Sequence, residues 1–117
     1  MAYDERLAER TRQALATQSG SEERHMFGGI AFLVHGHMAV GLVDDLLMVR
    51  VGPGDYEKWL ETPHVRPMDF TGRPLRGFLY VEPEGVASPK ALRKWVDRGV
   101  AYAASLPPKP KAGRRRR

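Results

Sequence analysis

Apolar residues recur along this chain first with a helical period, then in strand-like runs, then with a helical period again. Over residues 4–16, Tyr3, Leu7, Thr11, Ala14 and Leu15 fall near one stripe, the spacing of an amphipathic helix. Asp4 and Glu5 stand in its first turn and Arg10 and Arg12 in its last, where each sign opposes the helix dipole favourably. Gln18, Ser19, Gly20 and Ser21 break the pattern. Residues 23–51 then read as β structure. His25, Met26 and Phe27 open it, and Gly28-Gly29 permits a bulge or a close backbone approach. Three antiparallel strands are expected at residues 30–34, 38–43 and 46–51, with hairpin tips at His35-Gly36 and Asp44-Asp45.

Gly52-Pro53-Gly54 punctuates the chain. Asp55 is placed to cap a short helix over residues 55–61 that carries Tyr56, Trp59 and Leu60 inward, and Pro63 stops it. Residues 64–77 read as an irregular Arg/Pro/Gly segment with a short strand at 68–70, followed by a strand at 78–82. The last helix has the sharpest limits: Ser88 as N-cap, Pro89 in the first turn, and Pro107-Pro108 at the end. Leu92, Trp95, Val96, Gly99, Ala103 and Leu106 form its apolar stripe. The order α-β-β-β-α-β-β-α predicts an α+β fold of two layers, one antiparallel sheet with helices packed on it. Leu47, Val49 and Val51 line one face of their strand, and Met38, Val40 and Leu42 one face of theirs. The strand at 78–82 is apolar on both sides. Three short helices leave part of this surface uncovered, and an uncovered apolar face favours a homodimer.

Charge changes the picture only at the end of the chain. The net charge is +5, but all six charges beyond Leu106 (Lys109, Lys111, Arg114, Arg115, Arg116, Arg117) are positive. The remaining 13 basic and 14 acidic residues leave the body near −1, so the basic character belongs to the tail. Residues 1–106 thus read as one domain and 107–117 as a flexible basic Pro/Lys/Arg tail. With no cysteine, disulfides, thiolate catalysis and thiolate-ligated zinc drop out. The charged N-terminus is not a secretory signal and no apolar run approaches membrane-spanning length. A cytoplasmic protein with no membrane partner is expected.

Two segments carry a family resemblance. One is His25-Met26-Phe27-Gly28-Gly29, followed by a hairpin ending in Leu47-Met48-Val49-Arg50. The other is His64-Val65-Arg66-Pro67-Met68-Asp69-Phe70 running into Gly72-Arg73-Pro74-Leu75-Arg76-Gly77. With the order of elements, the chain resembles the N-terminal domain of the TfoX/Sxy competence regulators, over about residues 3–106. The resemblance implies a secretion-chaperone-like α+β fold, often dimeric, and a part in transcriptional regulation. Regulators of that family act with the cyclic-AMP receptor protein to switch on DNA-uptake genes. Full regulators carry a second, C-terminal domain, where this chain has its basic tail. The family brings no catalytic residues.

The residues themselves point the same way. His35 and His37 share a face if extended, with His25 a third candidate, but they straddle Gly36 of a turn, and no metal or other cofactor is expected. Neither a Gly-x-Ser-x-Gly elbow nor an HExxH pair occurs, so no catalytic residue is assigned. Asp69, between Arg66 and Arg73, reads as an internal ion-pair or hydrogen-bond acceptor. The aromatic residues Trp59, Trp95, Phe27, Phe32, Phe70, Phe78 and Tyr80 read as core. Arg66, Arg73 and Arg76 could hold a phosphate or a partner's carboxylates between them, and Arg114 to Arg117 could add weak contact with nucleic acid. Met26, Phe27, Gly28, Gly29, Asp69, Phe70 and Gly72 are expected to hold the fold. The function expected is a non-enzymatic interaction or regulatory module with a protein partner. The alternatives are a nucleic-acid-associated protein using its tail, or a protein that binds a small anion.

Overall fold

Asp4 opens the first helix as its charge and position predict. Its carboxylate accepts hydrogen bonds from the backbone N–H groups of Arg6 (2.9 Å) and Leu7 (3.1 Å), donors that a helix start otherwise leaves unsatisfied. The computed structural model describes residues 3–26, 28–68 and 76–107, Met26 without its side chain. Helix α1 (Glu5–Ala14) is followed by strands β1 (Ser21–Met26), β2 (Gly29–Val34), β3 (His37–Val43) and β4 (Leu46–Arg50). Helix α2 (Tyr56–Leu60), strands β5 (Val65–Pro67) and β6 (Phe78–Val81), a 3₁₀ turn (Pro83–Val86) and helix α3 (Pro89–Ser105) complete it. The strands form one antiparallel sheet in the order β1-β2-β3-β4-β6-β5.

The expected α+β fold with helices on a single antiparallel sheet is therefore present, with one strand more than the pattern predicted. That strand is β1, Ser-Glu-Glu-Arg-His-Met, whose residues 21–25 are all exposed. It pairs along its whole length with β2 but buries neither face, so it carries no apolar alternation for a sequence reading to find. Its charges also suit an edge, where they discourage pairing with another chain. A short strand lies at Val65–Pro67; of the strand expected at 68–70, Met68 is outside any strand, and residues 69 and 70 lie outside those described. Asp55 precedes α2 but makes no side-chain capping hydrogen bond.

One face of the sheet meets the helices. Ile30, Phe32, Val40, Leu42, Leu47, Val49, Leu79 and Val81 pack with Leu7 and Ala8 of α1, Tyr56 of α2 and Leu92, Trp95 and Val96 of α3. Full burial of such side chains stabilises by roughly 1.5–3 kcal/mol each. Two arginines fasten the layer: Arg93 of α3 donates to the carbonyl of Ala14 (2.7 Å) at the end of α1, and Arg10 donates to the carbonyl of Val86 (2.8 Å).

The opposite face carries Ala31, Leu33, Met38, Leu46, Met48 and Tyr80, with Met68 among them. Here the expected placement of Met38 with Val40 and Leu42 is corrected. The β2–β3 register steps from Phe32↔Val40 to Leu33↔Met38, so Ala39 is an extra residue that turns Met38 to the second face. Gly41 makes room for it: a β-carbon there would stand 2.7 Å from the Met48 methyl and 3.1 Å from that of Met38. Ala31, Leu33, Met48 and Tyr80 are buried within one chain. No helix among the described residues is long and apolar enough to cross a membrane.

The hairpin tips fall where expected. His35 and Gly36 both take positive φ (53° and 88°), as a two-residue turn matched to strand twist requires. Gly29 meets the close approach its position suggested: a β-carbon would lie 1.8 Å from the carbonyl oxygen of Leu42.

Candidate interaction surface

Of the arginines picked out by sequence, Arg66 and Arg76 are described, and each has its own partners. Arg66 sits on β5 opposite Tyr80 of β6. Its guanidinium carbon is 5.4 Å from the centre of the Tyr80 ring, and its Nε lies 3.4 Å from Glu82 Oε2. Arg76, just ahead of β6, donates to Glu57 Oε2 of α2 (3.1 Å) and lies 5.7 Å from the Tyr56 ring centre. The two are paired with different carboxylates, Glu82 and Glu57. Both pairs are exposed, a setting in which ion pairs contribute about 0–1 kcal/mol. Phe27, Asp69, Phe70, Gly72, Arg73, Arg114, Arg115, Arg116 and Arg117 lie outside the described residues, as does the side chain of Met26.

A different cationic group stands out around α2. Trp59 of α2 and Trp95 of α3 meet edge to face, ring centres 6.0 Å apart at 72°. Arg98, three residues beyond Trp95 on α3 and so on the same helical face, places its guanidinium carbon 3.9 Å from the Trp59 centre and 4.5 Å from that of Trp95. Lys58 Nζ stands 4.7 Å from the same Trp59 ring. Burial lowers the Arg98 pKa from its ordinary value, and among the described residues no carboxylate forms an ion pair with it. Four residues further along α3, Tyr102 takes Arg50 at 5.4 Å, and Phe78 takes the same guanidinium at 5.3 Å. Cation–π contacts of this kind contribute roughly 0.5–2 kcal/mol each. They also leave the edges of a guanidinium, where its N–H donors lie, open to a carboxylate or phosphate.

Trp95 is core, as its place in the apolar stripe predicts, at 4% exposure, whereas Trp59 is half-buried at the margin. Sequence reading missed Arg98 because a lone arginine on an amphipathic helix looks like any solvated one. Its i,i+3 spacing from Trp95 was the available signal, but Trp59 joins only through the packing of α2 on α3.

The turn assigned to His35 and His37 is confirmed: His37 Nε2 lies 2.6 Å from the carbonyl oxygen of Pro107, and His25 instead stacks near Tyr3 at 6.3 Å. The described residues that could hold a metal ion are others, His64, Glu82 and Glu84, whose candidate ligand atoms all lie within 4.8 Å of one another. Two shallow hollows are already occupied by the protein's own polar contacts. One, of about 260 Å³ between α1 and β1, is lined by Arg12 and Glu23; their hydrogen bond, and then that to Glu9, raises the Arg12 pKa. The other, of about 300 Å³ between α1 and α3, is lined by Arg10 and Arg93, whose guanidiniums serve backbone carbonyls.

The family model described as TfoX N-terminal domain matches residues 13–103, from within α1 to near the end of α3. No curated protein matches the chain.

Proposed function

The chain belongs to the TfoX N-terminal domain family, which at the family level marks a regulatory or competence-related module, and from that premise we propose that it acts without catalysis, by docking an acidic segment of a protein partner on the surface around α2. One observation carries the reading: Arg98 is stacked against Trp59 and Trp95, partly desolvated, and pairs with no carboxylate among the described residues. A cation held in that way has already given up part of its hydration and rotamer freedom, so an incoming carboxylate meets a preorganised donor. Two indoles beside it supply the aromatic anchor characteristic of interface hot spots. The docking would serve transcriptional regulation, with the tail adding weak attraction for polyanions.

The test is genetic and biochemical together. Deleting the chain in its native host is expected to change a set of transcripts, and wild-type protein is expected to restore them. Arg98→Glu, checked for native near-ultraviolet circular dichroism, should fail to restore them because it repels the acidic segment. Full restoration by folded Arg98→Glu would remove this surface from the function.

A further inference from the structure

We propose that His64, Glu82 and Glu84 form a surface site for a divalent transition cation of the zinc class. The sheet assembles it. His64 stands just before β5 and Glu82 just after β6, and the antiparallel Val65↔Val81 pairing sets these ends side by side. The N–H of Glu82 donates to the carbonyl of His64 (2.8 Å), which fixes two of the three ligand-bearing residues to each other through the main chain. The 3₁₀ turn returns Glu84 to the same place, and Gly85 keeps the way clear: a β-carbon there would stand 3.2 Å from that of His64.

The donor set selects the ion. One imidazole nitrogen with two carboxylate oxygens suits Zn²⁺ and its neighbours better than Ca²⁺ or Mg²⁺, which favour all-oxygen shells. Ligands at about 2.1 Å in a tetrahedral site stand about 3.4 Å apart. Candidate ligand atoms already within 4.8 Å of one another therefore need shifts of only about an ångström. Two carboxylates so close repel one another, and the one cation paired with them among the described residues is Arg66, on Glu82; a bound dication would neutralise both. Three protein ligands leave at least one position for water or for a donor from a partner. Arg66 competes for Glu82, so the site is tuned for moderate affinity.

Isothermal titration of the metal-stripped full chain with ZnCl₂ tests this. The expected result is saturable binding with micromolar affinity at one site, weakened at least about tenfold by His64→Asn or by Glu84→Gln. Asn is chosen because His64 has φ of 66°, a left-handed backbone that Asn tolerates. His37→Asn should leave this site unchanged, and Arg66→Ala should tighten it severalfold. The proposal is overturned if Zn²⁺ binds no tighter than Ca²⁺, or if folded His64→Asn and Glu84→Gln both bind Zn²⁺ like the wild type. It is likewise overturned if His37→Asn alone removes binding.

Discussion

The carbonyl oxygen of Ala39 lies 2.3 Å from the point where a β-carbon on Gly99 would stand, so α3 rests directly on the backbone of β3 at the bulge. Any side chain at 99 must push the helix away from Val40, whose Cγ1 is 2.8 Å from the same point. Gly99→Ala is therefore expected to destabilise by about 2–3 kcal/mol, an overpacking cost that outweighs the gain in helix propensity. Urea unfolding measures it. Gly54→Ala is the control: it meets nothing within 4 Å and should change stability by less than about 1 kcal/mol.

The bulge at Ala39 makes a second prediction. Met38 and Met48 share the second face beside Gly41, while Leu42 lies with the helices. In double-mutant cycles to alanine, Met38 should couple with Met48 by about 0.5 kcal/mol or more, and with Leu42 by less. The reverse order would restore simple alternation along β3.

Arg12 bridges α1 and β1 by pairing with Glu23, and also pairs with Glu9 one turn back. Both pairs are exposed, so Arg12→Ala should cost no more than about 1 kcal/mol, and the cost should shrink as salt rises. The raised Arg12 pKa gives stability that is complete below the unfolded-state value and lost only as pH rises through the folded one. Both lie above ordinary working pH, so the contribution should stay flat with pH in urea melts at pH 6 to 9, a range set by how far arginine titrates from neutrality.

Removing residues 108–117 takes away six cations and leaves a body near −1. Any binding of the full chain to duplex DNA at low salt should then vanish, and before truncation log affinity should fall with log salt by about 0.9 per phosphate contact. Unchanged affinity after truncation would exclude the tail as the source.

The sequence by itself determined whatever depends on neighbours along the chain. Ser88 caps its helix with a side-chain hydrogen bond as read, because a cap acts over two or three residues. The His35-Gly36 turn and the stripe from Leu92 to Ala103 were legible for the same reason: local conformation and period are written locally. Only the tertiary structure decided what depends on pairing at a distance. Strand β1 has no apolar period because its partner, not its own burial, makes it a strand. Met38 changes face because one residue is inserted against β2, a shift visible only in register. Arg98 meets Trp59, and His64 meets Glu82 and Glu84, because helix packing and strand pairing bring together side chains that no spacing in the sequence connects.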